Sequence, residues 1–195
     1  MQMSQEIEIE FKNLLNQHEY NKLLTELPFP CEGIVQTNHY FETKDFSLKQ
    51  HGAALRIREK SGKYTLTLKE PHPEGLLETH DTLTEREVEL WLNGTPLMKE
   101  NVGNQLRSLG IVPTELKLFG SLTTERREVK DRGVLLVLDY STYNSESDYE
   151  LEIEASDRLS GEAAFRQILK EFDVKEKHTP NKIERFYKSI GLLKD

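Results

Sequence analysis

The feature that most constrains this chain is a period-two alternation of charge and apolarity, repeated in segments far apart in the sequence. Ile7, Ile9 and Phe11 alternate with Glu6, Glu8, Glu10 and Lys12. Leu55 and Ile57 alternate with Arg56 and Arg58; Tyr64, Leu66 and Leu68 with Thr65, Thr67 and Lys69; Tyr149, Leu151 and Ile153 with Glu150, Glu152 and Glu154. Successive side chains of a strand point to opposite faces, so each segment predicts a strand with one apolar and one polar face. Ser61-Gly62 marks a turn between two of them. Further strand candidates at 34–43, 75–82, 115–128 and 133–142 bring the number to eight.

Helical periodicity lies between them. Tyr20, Leu23, Leu24 and Leu27 form one apolar stripe, and Phe165, Ile168, Leu169 and Phe172 another. Ile183, Phe186, Tyr187 and Ile190 form a third, in a helix starting after Pro180 and ending at Gly191. Thr84 and Glu87 are spaced as a capping box for a helix carrying Val88, Trp91 and Leu92, and a shorter helix is expected around Val102, Leu106 and Leu109. With 195 residues and no repeat or linker, the economical reading is a single α+β domain over 1–195, its eight strands mainly antiparallel and covered by helices. The longest apolar run, Val134 to Leu138, is too short to cross a bilayer. No charged-then-apolar leader opens the sequence, and lone Cys31 cannot form an internal disulfide, so a cytoplasmic location is expected. A net charge of −8 argues against general nucleic-acid or anionic-membrane binding.

The polar faces are selective. One strand offers Glu8, Glu10 and Lys12, another two arginines, another Lys69, and the last a row of glutamates. Solvated faces would explain each singly, but a closed barrel could direct all of them into one interior. Periodicity shows two unlike faces and leaves open which is inside. A polar interior suits a polyanionic substrate: arginine forks match phosphate oxygens, lysine supplies a point charge, and carboxylates suit Mg2+ or Mn2+, which neutralise phosphates and can polarise an attacking water. Other chemistries find little support. The six histidines show no metal-ligand spacing, and there is no nucleophile elbow or P-loop. His80 is read as a surface histidine, Trp91 as core packing and Cys31 as a loop residue.

At these residues the sequence resembles the CYTH superfamily, the triphosphate tunnel metalloenzymes, and in overall form its short YjbK-type bacterial members. Glu8-x-Glu10-x-Lys12 matches the family's ExExK signature, and further elements follow in the family's order. They are Asn38-His-Tyr40-Phe41, Ala54-Leu-Arg56-Ile-Arg58-Glu59, Thr67-Leu-Lys69, Thr124-Glu-Arg126, Leu138-Asp139, Glu150-Leu-Glu152-Ile-Glu154, and Lys182 with Arg185 three residues apart on a helix.

The resemblance implies an eight-stranded, mainly antiparallel β-barrel forming a tunnel with a polar interior and helices outside. It implies that Lys12, Arg56, Arg58, Lys69, Arg126 and Lys182, with Arg185 in support, hold phosphate. Glu8, Glu10, Asp139, Glu152 and Glu154 would bind Mg2+ or Mn2+, joined by Glu78, for which Asp81 competes; Glu150 fits the motif less well. Water would be the nucleophile, oriented by Lys69 and Tyr40. Leu116, Leu118 and Leu122 suggest that even positions of the sixth strand face outward, which conflicts with Arg126. Either a bulge lies between Ser121 and Arg126 or Arg127 is the inward residue; the motif favours Arg126. The expected activity is metal-dependent hydrolysis of a triphosphate: inorganic triphosphate, thiamine triphosphate or a nucleotide. Alternatives are a class IV-type adenylate cyclase making cyclic AMP and pyrophosphate, or a non-enzymatic polyphosphate or nucleotide sensor. A homodimer is suggested by analogy alone.

Overall fold

The alternating segments form strands in the computed structural model, which describes residues 4–191. The strands are β1 (Gln5–Leu15), β2 (Ile34–Glu42), β3 (Ala54–Lys60), β4 (Lys63–His72), β5 (Gly75–Leu83), β6 (Lys117–Asp131), β7 (Val134–Tyr143) and β8 (Glu146–Ala155). The helices are α1 (Gln17–Glu26), α2 (Ser47–Gln50), α3 (Glu85–Leu92), α4 (Glu100–Ser108), α5 (Arg158–Glu171) and α6 (Lys182–Ser189). The strands close into a barrel in the order β1-β5-β4-β3-β2-β6-β7-β8. All the expected strands and helices are present; α2 and a single 3-10 turn at Pro113–Glu115 are additions. Two compact units carry these elements among the described residues: 4–7 with 36–121, and 8–35 with 122–191.

In the first unit, β3, β4 and β5 form an antiparallel meander. Ser61 and Gly62 both have positive φ (51° and 70°) and join Lys60 to Lys63 in a two-residue hairpin, the geometry whose twist matches that of its strands. Leu55, Ile57, Leu66 and Leu68 are fully buried in one cluster with Val88 and Trp91 of α3 and Val102 and Leu106 of α4. Each such side chain contributes about 1.5–3 kcal/mol relative to exposure. Trp91 meets Phe41 edge-on at 4.9 Å and donates its indole N–H to Leu97 O at 3.1 Å, so its role is packing. Thr84 and Glu87 cap α3 reciprocally. The apolar strand face thus lies under the helices, leaving Arg56, Arg58, Thr67 and Lys69 on the opposite face.

In the second unit β7 pairs with β6 and β8, and β8 with β1. Leu136, Leu138, Leu151 and Ile153 are fully buried against Leu23 of α1 and Phe165, Ile168 and Leu169 of α5. This settles which face the helices cover in each unit. One helix departs from the expectation of helices on apolar faces only: α6 brings Lys182 and Arg185 to acids of β7 and β8 on the charged face.

The alternatives for the sixth strand were a bulge between Ser121 and Arg126 or an inward Arg127, and the pairing with β7 from Thr123 onward contains no bulge. Its ladder with β7 steps one residue for one from Thr123↔Thr142 through Arg126↔Asp139 to Asp131↔Val134. Of the three leucines behind the parity conflict, Leu116 precedes the strand and Leu118 is 41% exposed, while Leu122 is fully buried and shares the parity of buried Thr124 and Arg126. Arg126 pairs with acids of the charged face, whereas Arg127 donates to the Tyr20 hydroxyl of α1 at 2.8 Å and to Cys31 O at 3.2 Å.

Candidate functional site

In the first unit the charged face is organised around one carboxylate. β3, β4 and β5 bring Arg56, Lys69, Glu78 and His80 together through the register pairs Lys69↔Glu78, Arg56↔Thr67 and Thr67↔His80. Lys69 Nζ lies 2.9 Å from Glu78, Arg56 NH2 3.7 Å and His80 Nε2 3.3 Å. Burial alone would raise the Glu78 pKa, but Lys69 and then Arg56 outweigh it and hold the carboxyl at about 2. Arg58 donates its Nε–H to Asn38 Oδ1 at 2.9 Å, and buried Tyr40 stands opposite Arg56 in the β2–β3 ladder. Asp81, the competitor for the strand-five acid, faces the other way: it accepts from Asn101 Nδ2 and from the Val102 amide in the first turn of α4, both at 2.8 Å. It caps that helix and leaves Glu78 on the charged face.

His80 is a correction to the sequence reading. Its side chain is only 13% exposed, Nδ1 lies 3.0 Å from the Thr67 hydroxyl, and Nε2 lies 3.2 Å from Glu6 as well as near Glu78. It belongs to the charged cluster because it shares the parity of Glu78.

In the second unit acids and bases interlock. Arg126 grips Asp139 with two donors, Nε to Oδ1 at 2.8 Å and NH2 to Oδ2 at 2.6 Å, and NH2 also reaches Glu152 Oε2 at 2.6 Å. Lys182, the first residue of α6, donates to Glu150 Oε1 and Glu152 Oε1 and lies 2.9 Å from Asp139 Oδ2. Arg185, one turn later, donates to Glu150 Oε2 and Pro180 O, both at 2.6 Å, and to Asp148 Oδ2 at 2.8 Å. On β1, Lys12 donates to Glu10 at 2.7 Å and also bonds Asn181, and the register sets Glu10 opposite Glu154 and Lys12 opposite Glu152. Glu154 is the outermost of its row, 4.0 Å from Arg126 NH1, and Glu8 precedes Glu10 on the same face of β1.

Burial opposes every charge in this cluster, and the balance differs by site. Lys182 and Arg126 overcome it at Glu152, holding it well below the ordinary carboxylate range, and Arg126 and Lys182 overcome it at Asp139, which is lowered. At Glu150 burial wins over Lys182, Glu152 adds to it, and the pKa is pushed up to about 7. Lys182, Arg126 and Arg185 are all raised, burial being outweighed by the surrounding acids.

Two groups bring three possible metal ligands within 4.8 Å of one another: Asp139 with Glu150 and Glu152, and Glu6 with Glu78 and His80. The first is an all-carboxylate set of hard oxygens and already converges on one cation, the Lys182 ammonium. It fits a small divalent ion. In the second, Lys69 and Arg56 flank Glu78 and disfavour further positive charge.

The sequence model of the CYTH domain matches residues 6–187. The chain belongs to the CYTH family. It is 47% identical over 186 residues to YjbK of Bacillus subtilis (strain 168), described as a candidate triphosphatase, with 95% of this chain and 96% of that protein covered. The crystal structure of a candidate adenylate cyclase from Bacillus halodurans superposes with a TM-score of 0.92 at 42% identity, over 95% of this chain and all 100% of that one. HpAC1 of Hippeastrum, described as a candidate adenylyl cyclase with a dominant triphosphatase activity, has a TM-score of 0.79 at 24% identity, covering 94% of this chain and 96% of that one. At that identity it bears on the CYTH fold alone.

Within this CYTH chain the sequence reading passed over several residues of the cluster. Asp148 drew no attention, Glu150 was ranked below its neighbours, and Asn38 and Asn181 had no assigned role. Parity was the signal for three of them. Asp148 and Glu150 alternate in step with Glu152 and Glu154, and Asn38 with Tyr40. Asn181 had a different one: it is the N-cap of α6, directly before Lys182.

Proposed function

We propose that the chain hydrolyses a small triphosphate-containing molecule with the help of Mg2+ or Mn2+, acting as one functional domain in the cytoplasm. The observation that carries this reading is the set of three carboxylates, Asp139, Glu150 and Glu152, converging on a single cation position within a network of buried bases. The 47% identity to a candidate triphosphatase supports it.

In this reading the bases for phosphate oxygens are Arg56, Arg58 and Lys69 in the first unit and Lys12, Arg126, Lys182 and Arg185 in the second. Arginine offers planar forks and lysine point charges, which is what phosphoryl transfer requires, since its transition state is stabilised by positioning and charge more than by covalent help. Asp139, Glu150 and Glu152 would hold the metal, with Glu8, Glu10 and Glu154 as further acids and Glu78 as the acid of the first unit. A divalent ion there supplies charge neutralisation to the phosphates. Lys69 and Tyr40 orient the attacking water, and Glu78 keeps Lys69 in place through their 2.9 Å contact.

Cyclisation of ATP is the second reading, favoured by the 42% identity to a candidate adenylate cyclase. The test is a screen of inorganic triphosphate, thiamine triphosphate and ATP with each metal, resolving phosphate, pyrophosphate and cyclic AMP. Metal-dependent phosphate release is expected. Cyclic AMP with pyrophosphate from ATP would overturn hydrolysis in favour of cyclisation, and tight binding without turnover would make the protein a sensor. Lys12→Ala and Arg56→Ala should each raise KM at least tenfold, while Glu152→Gln should raise the metal concentration required.

A further inference from the structure

In the structure most of the bases assigned to phosphate are engaged with acids, and Lys182 is the extreme case: among the described residues its ion pairs are all with the three carboxylates proposed to hold the metal. The division of oxygens among the bases is the informative detail. Arg126 takes Asp139 Oδ1 and Glu152 Oε2, and Arg185 takes Glu150 Oε2. Lys182 takes the oxygens on the other side: Asp139 Oδ2, which it shares with Arg126, Glu150 Oε1 and Glu152 Oε1. The two arginines therefore fix each carboxylate from behind, and the lysine occupies the space where the free oxygens meet.

We infer that Lys182 is a resident stand-in for the metal: a divalent cation enters by displacing its ammonium from the three-carboxylate cage, and the displaced ammonium becomes available to substrate phosphate. This rests on the triphosphatase reading for its second half and on the geometry of the cage for its first. The chemistry favours exchange. Three carboxylate oxygens around a singly charged ammonium match a doubly charged, oxygen-seeking ion at least as well. Lys182 is also the first residue of α6, where the positive end of the helix dipole disfavours a cation, so the carboxylates are what hold it there. A cage already set by Arg126 and Arg185 needs no rearrangement to accept the newcomer. Metal binding and phosphate binding then become ordered steps, because the same event fills one site and frees a ligand for the other.

While Lys182 fills the cage, the apparent metal affinity is reduced by the fraction of molecules in which the cage is vacant. Isothermal titration with Mn2+, without any triphosphate, should show Lys182→Met binding about tenfold more tightly than the parent chain. A purely through-space effect of charge would make Arg185→Gln tighten binding as well, since it too removes a positive charge. Displacement predicts the opposite: Arg185→Gln loses the support behind Glu150 and binds no more tightly than the parent. A second measurement uses the unmutated chain. Acetylation of Lys182 by a small amine-reactive reagent, read by mass spectrometry, should rise several-fold on adding Mn2+, with no such rise at Lys177 or Lys188. Equal tightening in both variants, no tightening in Lys182→Met, or Lys182 labelling indifferent to Mn2+ would each overturn the inference. Those results leave the hydrolase reading standing if phosphate is still released. Conversely, displacement without turnover of any triphosphate would sink the hydrolase reading and keep the exchange.

Discussion

The two units solve the same problem, a row of charge on a sheet face away from the helices, with opposite balances. In the β3–β5 meander bases surround one acid, Glu78, and pull its pKa down to about 2. In the β6–β8 sheet acids crowd the bases, and burial, with Glu152 alongside, pushes the carboxyl of Glu150 up to about 7. Burial desolvates both carboxyls, Glu78 being 6% exposed and Glu150 fully buried; Lys69 and Arg56 outweigh it at Glu78, whereas at Glu150 it prevails over Lys182, with Glu152 adding to it. The site in which three carboxylates converge on one ammonium is the one suited to recruit a cation. A site that surplus bases dominate is the one suited to an anion.

The largest effect should come from breaking the pairing in the acid-rich unit. Arg126→Met takes from buried Asp139 and Glu152 one of the two bases that hold them, leaving Lys182, and removal of one member of such a buried pair costs about 3–5 kcal/mol. Lys69→Met removes a base whose side chain is 22% exposed and whose partner Glu78 keeps Arg56 and His80, so a cost of about 1–2 kcal/mol is expected. Urea unfolding of the two variants at neutral pH checks the ranking. Equal costs would mean that the two networks carry the same energy despite their different balance.

Opposite pH slopes should come next. Glu78 has a depressed folded pKa, so its contribution to stability is present above the ordinary carboxylate value of 4.5 and is lost as pH falls through about 2. The parent chain should therefore lose stability relative to Glu78→Gln as pH drops through that window. Glu150 has a raised folded pKa, so the folded state holds the extra proton between 4.5 and about 7, and stability is lost as pH rises through that range. Glu150→Gln should gain on the parent chain over that interval. Each difference is bounded at about 3 kcal/mol by the size of the shift. Denaturant melts across pH give the two signs, and slopes of the same sign would refute the contrast between the units.

The sequence made the strands and the helix stripes legible because alternation and the 3.6-residue period come directly from which faces are buried. It also marked most of the charged set, since Glu8, Glu10, Lys12, Arg56, Arg58, Lys69, Glu152 and Glu154 sit in short motifs on alternating strands. What it could not show was pairing. Whether Glu150 or His80 joins a cluster depends on which side chains the neighbouring strands bring opposite, and His80 in particular looks like any surface histidine until Glu6, Thr67 and Glu78 are beside it. The parity doubt at Arg126, which the motif resolved in its favour, arose for a similar reason: Leu116 precedes the strand, which begins only at Lys117. That α6 lies on the charged face, unlike α1 and α5, was carried by the family's Lys182 and Arg185 and not by periodicity, because an apolar stripe does not say which surface it meets.

The smallest effects test whether the scaffolds of the two units differ as their charged faces do, and two helical glycines provide the comparison. Gly161 lies in α5 where a Cβ would come within 2.5 Å of the Phe11 ring and 2.8 Å of Ala155 Cβ. Neither is the free end of a flexible side chain, so Gly161→Ala must push α5 off β1 and β8 and should cost roughly 1–3 kcal/mol, beyond the helix propensity it gains. Gly103 lies in α4, where the nearest atom to a new Cβ is Met98 Cβ at 3.5 Å, ordinary contact distance. Gly103→Ala should therefore show mainly the propensity term, a stabilisation of about 0.5–1 kcal/mol. Thermal melts of both variants should move in opposite directions. If Gly161→Ala melted above the parent chain, the close seat of α5 on its sheet would be wrong, and with it the expectation that the acid-rich unit tolerates less movement of its helices than the base-rich one.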